Sequence, residues 1–458
     1  MTYLNNQPVE VTVTAVNSIG QGISRLPDGK IFFINGALPG EKVEAIVKKE
    51  KKQYALGELV KILEKHPKRV VPHCPLYGKC GGCQLQHCSY ELQLELKGNI
   101  LVDALERIGH LNISSKVEKC VPSPVKWNYR NKASFPARKK GHTVERGFYQ
   151  RGSHHLIPVE HCPVLEDSLN DVAKVVFSRL KKFKIPGYDE KTHSGLLKHI
   201  IMRKGSFTGD IVLCIVLKEL PGKKWSRMLE EAANDIATLF PSVKGVTVNV
   251  NPDKTNRIIG NRSLCLYGDD FLTEKLKDKL LEYESTSFFQ VNSYQAIHLF
   301  SFTADQISKD GQENVLELYS GAGALTVFLS EKAKKVCSVE SWESSAKSMK
   351  KNLERNEIKN VSIHTEKAEK LLQNLRKEEF SSVVLDPPRA GCHRDVIDYI
   401  SESGIPEVVY VSCNPSTLAR DCAILAENGY RFSRIRPFDM FPQTCHVETV
   451  VLMSKKEN

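Results

Sequence analysis

Tyr410-Val-Ser-Cys413-Asn-Pro415 reads as the end of a strand, residues 406–412, followed by a forced turn. Pro415 cannot extend a hydrogen-bonded ladder and restricts the residue before it. A helical pattern begins at Ser416. The turn sets the Cys413 thiol at the carboxyl end of a strand, close to a helix N-terminus. Such a terminus favours anions and depresses thiol pKa values. In open α/β sheets ligands bind at that same end of the strands. A single cysteine is more often simply buried, so its neighbours decide the reading.

Working outward, strand-like runs recur at 314–319, 335–340, 360–365, 382–386 and 448–453, with helical stretches between most of them. That alternation predicts a largely parallel, doubly wound α/β domain over residues 286–458. The first strand leads into Glu317-Leu-Tyr319-Ser-Gly321-Ala-Gly323, where Gly321 and Gly323 let a cofactor approach the backbone. Glu340 closes the second strand, a position from which a carboxylate can bind ribose hydroxyls. The third glycine of the dinucleotide fingerprint is missing, which favours S-adenosylmethionine over NAD. Asp386-Pro-Pro-Arg389 ends the fourth strand. His446 and Glu448 stand two apart at the start of the last strand, so they share a face, and either could act as a base.

Upstream, residues 1–65 hold four segments of period-2 alternation, with turns at Asp28-Gly29 and Pro39-Gly40. Short strands at this spacing predict a small OB-like β-barrel, a fold that often holds nucleic acid. Residues 66–285 read as a mixed α+β domain. It opens with Cys74-x5-Cys80-Gly-Gly-Cys83. Three thiols in ten residues can wrap one metal centre, with Cys88, His87 or the distant Cys162-Pro163 as fourth ligand. Spacing alone leaves iron–sulfur and zinc open. Ser89 caps a helix to about residue 108 with one apolar face. Residues 126–155 carry eight Lys/Arg against one acid, interleaved with Trp127, Tyr129, Phe135, Phe148 and Tyr149. Cations for phosphates and rings for bases predict a single-stranded RNA surface.

The net charge of +11 favours a polyanionic partner. The longest apolar run, Ile211–Leu217, is too short to cross a bilayer. Residues 1–9 lack an export-signal pattern, so the expectation is a cytoplasmic protein whose thirteen cysteines serve as thiols, ligands or nucleophile rather than as bridges. An open RNA-binding surface suggests a monomer.

A thiol, a nearby carboxylate and a methyl donor fit one reaction. Carbon 5 of uracil is a poor nucleophile until a thiolate adds to carbon 6; a base must then remove the carbon-5 proton. The chain resembles the TRAM-containing RNA (uracil-5-)-methyltransferases over essentially its whole length. The matching pieces are the N-terminal barrel, the four cysteines, Tyr129-Arg-Asn-Lys132, Phe288-Phe-Gln290-Val-Asn292, Tyr319-Ser-Gly-Ala-Gly323, Asp386-Pro-Pro-Arg389, Ser412-Cys-Asn-Pro415 and His446-Val-Glu448.

The resemblance implies a TRAM barrel (1–65), a central iron–sulfur domain (66–285) and a Rossmann-like class I methyltransferase domain (286–458). It implies Cys413 as nucleophile and Glu448 as base. Gln290, Tyr319, Glu340 and Asp386 would surround cofactor and target base, with Gly321 and Gly323 at the cofactor turn. A 4Fe–4S cluster would sit on Cys74, Cys80, Cys83 and Cys162. That cluster is typical of the 23S ribosomal RNA branch. Arg130, Lys132, Phe148 and Phe288 are candidate RNA contacts. The family's third acidic cofactor motif departs here to Glu366-Lys-Ala-Glu369, so no adenine contact is assigned. The 89–108 helix is expected to pack with the catalytic domain. A transfer-RNA uracil methyltransferase and a non-catalytic RNA-binding iron–sulfur protein are the competing readings.

Overall fold

The computed structural model describes residues 3, 7–141, 143–307, 311–373, 375 and 380–455. The chain divides into two compact units. One comprises Met1–Ser123, Pro387–Cys392 and Tyr410–Asn458; the other comprises Pro124–Asp386 and His393–Val409.

The first unit begins with β1 (Val9–Thr12), β2 (Ala15–Val16), β3 (Gln21–Arg25), β4 (Ile31–Asn35), β5 (Lys42–Glu50) and β6 (Tyr54–Glu64). They form a six-stranded sheet in the order β1-β5-β6-β4-β3-β2, antiparallel except for the β4–β6 pair. Alternate residues Phe32, Ile34, Val43, Ala45 and Val47 point into one core, as period 2 requires. The sequence predicted a barrel. The stretch 9–16 reaches both ends of that sheet: β1 pairs with β5 and β2 with β3, and between them Thr14 N–H donates to the Ile23 carbonyl.

Helix α1 (Tyr90–Arg107) follows, with the Ser89 hydroxyl accepting from Leu92 N–H at its N-cap. Its apolar face, Leu92, Leu96 and Ile100, joins Val16, Leu38, Leu85, Cys88 and Cys445 in a second core.

The second unit contains β7 (Lys132–Lys140), β8 (Thr143–Tyr149), β9 (Leu156–Pro158), α2 (Asp167–Lys182), β10 (Leu197–Lys204), β11 (Ile211–Leu217), α3 (Lys223–Leu239), β12 (Val243–Val250) and β13 (Arg262–Gly268). Its sheet runs β13-β12-β11-β10-β7-β8-β9. Helices α2 and α3 cover one face, packing Leu169, Val176, Leu229 and Ile236 onto Ile200, Leu213 and Val248. A hairpin, β14 (Phe271–Leu276) and β15 (Lys279–Glu284), and helix α4 (Ser293–Ala304) come next.

The same unit then carries β16 (Asn314–Leu318), α5 (Thr326–Leu329), β17 (Lys335–Val339), α6 (Glu343–Arg355), β18 (Val361–His364), α7 (Ala368–Leu371), β19 (Ser382–Leu385) and α8 (Arg394–Ser403). Strands β18-β17-β16-β19 lie side by side, and the pairs among them are parallel. Strand β20 (Glu407–Ser412) begins in this unit, where Glu407 N–H donates to the Ser381 carbonyl, and ends in the first. There α9 (Pro415–Glu427), β21 (Tyr430–Phe438) and β22 (Glu448–Lys455) follow, with strand order β20-β22-β21. The β21–β22 pair is antiparallel; the sequence reading missed β21, whose run Tyr430-Arg-Phe-Ser-Arg-Ile-Arg is too charged to stand out.

Candidate active site

In the second unit, β16 ends in a turn of three left-handed residues: Tyr319 (φ 65°), Gly321 (φ 58°) and Gly323 (φ 83°). A β-carbon on Gly323 would lie 2.5 Å from Met349 Cγ, so the glycine also lets α6 close on the turn. Gly321 N–H donates to Glu340 Oε2 at 2.8 Å, and Trp342 N–H to Glu340 Oε1 at 2.7 Å. Two backbone donors therefore orient the buried Glu340 carboxylate; the Ser341 hydroxyl also meets Oε1 at 3.4 Å, which leaves Oε2 with the lone pair for a ligand hydroxyl. The Tyr319 hydroxyl accepts from His393 N–H at 3.4 Å.

Two carboxyls here have unusual surroundings. Glu317, two residues before Tyr319, is buried, and burial pushes its pKa up to about 7 even though the Ser338 and Thr326 hydroxyls donate to it. Asp386, at the end of β19, is also raised to about 7 by burial of its carboxyl, although the residue as a whole keeps part of its surface exposed. Sequence reading quoted Glu317 only as part of the turn. An acid inside a strand otherwise made of Val315, Leu316 and Leu318 was the signal that could have found it.

Gln290 is buried, and its carbonyl accepts from Asn131 Nδ2 at 3.1 Å. Asn131 also bonds the Ser293 hydroxyl at 2.8 Å and donates its N–H to the Val291 carbonyl. Asn292 caps α4 by accepting from Gln295 N–H. The structure thus joins two motifs 160 residues apart in number, Tyr129-Arg-Asn-Lys132 and Phe288-Phe-Gln290-Val-Asn292, through a buried asparagine that sequence reading passed over. The fully buried Arg203 donates Nε to the Ser285 carbonyl at 2.9 Å and Nη2 to the Ser287 carbonyl, fixing the strap just before Phe288. Phe288 itself is 75% exposed.

In the first unit, β20 delivers Cys413, half-buried, one residue before the Asn414 N-cap of α9. Asn414 accepts from Ser416 N–H at 3.1 Å, with Pro415 in the first turn. Its amide also donates to the Arg389 carbonyl at 2.8 Å. Buried Asp421 accepts from Cys392 N–H at 2.9 Å and from the Tyr410 hydroxyl at 2.7 Å. The loop after Asp386-Pro-Pro is therefore tied to both ends of the Cys413 segment. Glu448, buried, opens β22, the neighbour of β20. The Lys97 ammonium pairs with Asp439 inside the protein, and Gln93 donates to Gln443 Oε1 at 3.0 Å and accepts from Gln443 N–H at 2.9 Å. Helix α1 thus clamps the turn that leads to His446 and Glu448.

The predicted RNA face needs correction. Tyr129 and Phe135 are fully buried, and Phe148, partly buried, stacks on Phe135 at 4.9 Å. The alternation of β7 turns Ala133, Phe135 and Ala137 toward the core. Phe148 therefore spends a ring face on the core. Arg130 and Lys132 stay partly exposed; burial, with Arg203 and Arg130 nearby, lowers the Lys132 pKa to about 7.

Cys74, Cys80 and Cys83 are half-buried and outside any disulfide. Gly82 N–H donates to Cys80 Sγ at 3.4 Å. Thiols are the right donors for an iron–sulfur cluster. Among the described residues, however, no three His, Cys, Asp or Glu side chains gather closely enough to hold a metal ion.

The family model described as tRNA (uracil-5-)-methyltransferase matches residues 89–456, and a TRAM-domain model matches residues 4–60. An RNA methyltransferase of Clostridium acetobutylicum is 37% identical, over 98% of this chain and 97% of its own. One from Caldanaerobacter subterraneus is 38% identical, over 97% and 98%. The crystal structure of Pyrococcus abyssi tRNA (uracil-54, C5)-methyltransferase with S-adenosyl-L-homocysteine superposes with a TM-score of 0.74 at 27% identity, covering 97% of this chain and 99% of that one. The chain belongs to the tRNA (uracil-5-)-methyltransferase family and is an S-adenosylmethionine-dependent enzyme that methylates uracil carbon 5 in RNA.

Proposed function

We propose that the enzyme methylates carbon 5 of uridine in 23S ribosomal RNA through a covalent bond between Cys413 and uracil carbon 6. The observation that carries the mechanism is the pairing of positions in the first unit: Cys413 at the end of β20 and before α9, and buried Glu448 opening the neighbouring strand. The Cys413 thiolate adds to carbon 6, and the ring's π electrons move to carbon 5 and the carbon-4 oxygen. S-adenosylmethionine supplies the methyl group that carbon 5 takes. Glu448 then accepts the carbon-5 proton, the double bond re-forms, and the Cys413 thiolate leaves.

Gln290, Tyr319, Gly321, Gly323, Glu340 and Asp386 serve the cofactor and target base in this reading. Glu340, held by two N–H groups, takes the ribose hydroxyls. Arg130, Lys132 and Phe288 meet RNA, Phe288 by stacking. The working domains are TRAM (1–65), central (66–285) and catalytic (286–458), in a cytoplasmic monomer.

The ribosomal substrate is supported by the set Cys74, Cys80, Cys83 and Cys162, taken as ligands of a 4Fe–4S cluster; their thiol chemistry suits it, and loading the cluster would have to draw the thiols together. Iron and acid-labile sulfide in anaerobically purified protein test this, and a colourless, iron-free, active enzyme would refute it. Transfer RNA is the second reading, favoured by the Pyrococcus abyssi neighbour. Incubation with methyl-labelled S-adenosylmethionine, unmodified 23S RNA and transfer RNA, followed by mapping of the labelled base, decides between them. Label at carbon 5 of 23S uridines is expected; label in transfer RNA alone would overturn the substrate and keep the chemistry.

A further inference from the structure

The second unit contains a cleft of about 430 Å³ built from none of the residues discussed as cofactor or catalytic groups. Its walls come from β7, β8 and β10 and from three loops, at 150–155, 188–193 and 253–258. Two aromatic pairs stand on those walls. Tyr149 and His154 lie 5.5 Å apart between ring centres, and Tyr188 and His193 lie 6.1 Å apart.

Hydrogen bonds fix both pairs. Glu190 accepts from the Tyr149 hydroxyl at 2.8 Å, contacts His154 Nδ1 at 2.8 Å and pairs with Arg138 at 2.9 Å. The Tyr188 hydroxyl meets His193 Nδ1 at 2.8 Å. Lys198 donates to the Asn251 and Asp253 carbonyls, and its ammonium sits 5.1 Å from the Tyr188 ring centre. Rings held this way lose little entropy when a planar ligand slides between or against them.

The charge balance points to an anion. Arg138, Lys198, Lys254 and Arg257 line the cleft against two carboxylates, Glu190 and Asp253, and Glu190 is already engaged by Arg138. Lys254 and Arg257 are exposed on the loop rim, where they can follow a phosphate backbone. Arg138 Nε is buried with no hydrogen-bond partner among the described residues, and so is His199 Nδ1. Burial, followed by Lys198, lowers its pKa to about 4, so the ring is neutral at physiological pH and can read a base edge by one donor or one acceptor. A buried polar atom without a partner costs free energy that a ligand can recover.

We propose that this cleft is a second RNA subsite, which takes one unpaired nucleotide of the substrate RNA outside the methylation site, stacking its base on the Tyr149–His154 wall, which keeps surface exposed, and pairing its phosphate with the Lys254–Arg257 rim. The inference stands on the family's action on RNA and not on which RNA is methylated. The cleft volume suits one nucleotide rather than a duplex, and stacking on an aromatic wall tolerates any base. The subsite therefore contributes affinity for an opened RNA strand near the target.

The test uses the whole protein and transcripts of 23S RNA and transfer RNA substituted with 4-thiouridine. Ultraviolet cross-links mapped by mass spectrometry are expected in peptides containing Tyr149, His154 or 254–257. Tyr149→Leu is expected to weaken RNA binding about fivefold or more and to raise KM for RNA, while S-adenosylmethionine affinity, the folding control, stays. Should that variant fail the control, Lys254→Gln with Arg257→Gln on the exposed rim carries the test, with a smaller loss and a shallower salt dependence expected. Unchanged RNA affinity in folded variants, with no cross-link in these peptides, overturns the proposal. So does protection of the cleft by uridine 5′-monophosphate in variants whose RNA affinity is normal, which would make it a site for free nucleotides.

Discussion

Cys413 and Glu448 make opposite predictions once each is removed. On the proposed mechanism Cys413→Ala deletes the atom that activates carbon 5, so methyl transfer should fall to background while S-adenosylmethionine still binds. Glu448→Gln leaves activation intact and blocks proton removal. Labelled methyl should then remain on an enzyme–RNA complex that survives denaturation, visible as a shifted radioactive band. If Glu448→Gln gives no such complex and simply loses activity with Cys413→Ala, another group is the base. A third residue, Glu317, makes its mark on stability. Its folded-state pKa of about 7 lies above the ordinary glutamate value of 4.5. Between those values the folded protein holds a proton that the unfolded chain has released, so stability falls as pH rises from about 4.5 to 7 and levels off above. The full penalty is about 3 kcal/mol. Thermal unfolding of the ligand-free protein at pH 5 and pH 8 should show that loss in the wild type and a smaller one in Glu317→Gln, which should be the more stable of the two at pH 8.

Among elements, α1 and the turn before β22 behave as one device. Lys97 and Asp439 are both fully buried, and Lys97 also donates to the Phe441 carbonyl at 3.0 Å. Removing one partner strands the other charge, so Lys97→Met should cost about 3–5 kcal/mol, read as a drop in the denaturation midpoint. Lys97→Met with Asp439→Leu should recover much of that loss; failure to recover would mean that the pair holds the turn in ways beyond charge compensation. This coupling was only partly legible beforehand. The 3.6-residue repeat and Ser89 gave α1 to within a residue or two, because cap chemistry and periodicity are local. Lys97 stood among ordinary helix-surface residues, and nothing local says that an aspartate over 340 positions away will meet it. The same limit explains Tyr129 and Phe135: their types suited an RNA platform, and only strand pairing shows that they face inward. The placement of Cys413, Gly321, Gly323, Glu340 and Asp386 just where strands stop was legible, because strand ends follow from short-range chemistry. The β14–β15 hairpin and β21 were missed because their charged alternation resembles loop.

For the molecule as a whole, linear domain boundaries describe the sequence better than the packing. Leu38 from the N-terminal strands, Leu85 beside the cysteine loop, Leu96 of α1 and Cys445 before β22 share one core. Buried Glu41 pairs with Arg69 at 2.6 Å across the supposed boundary at residue 65. Removing residues 1–65 should therefore lower the melting temperature of the remaining chain or make it aggregate, rather than merely weaken RNA binding. An unchanged melt of residues 66–458 would show the N-terminal sheet to be an independent module.

The return of the chain at Tyr410 has a consequence for how the protein is made. Residues up to 123 of the first unit leave the ribosome ahead of the second unit, yet the first unit lacks the end of β20, α9, β21 and β22 until the second unit has been made. The second unit has all its residues by Val409. The part synthesised first is thus completed last, and during that wait α1 presents Leu92, Leu96 and Ile100 without the Cys445 side of their core. Ribosomes that stop before the last strand would release chains with that face bare, and these are the chains a cell's chaperones and proteases would seize.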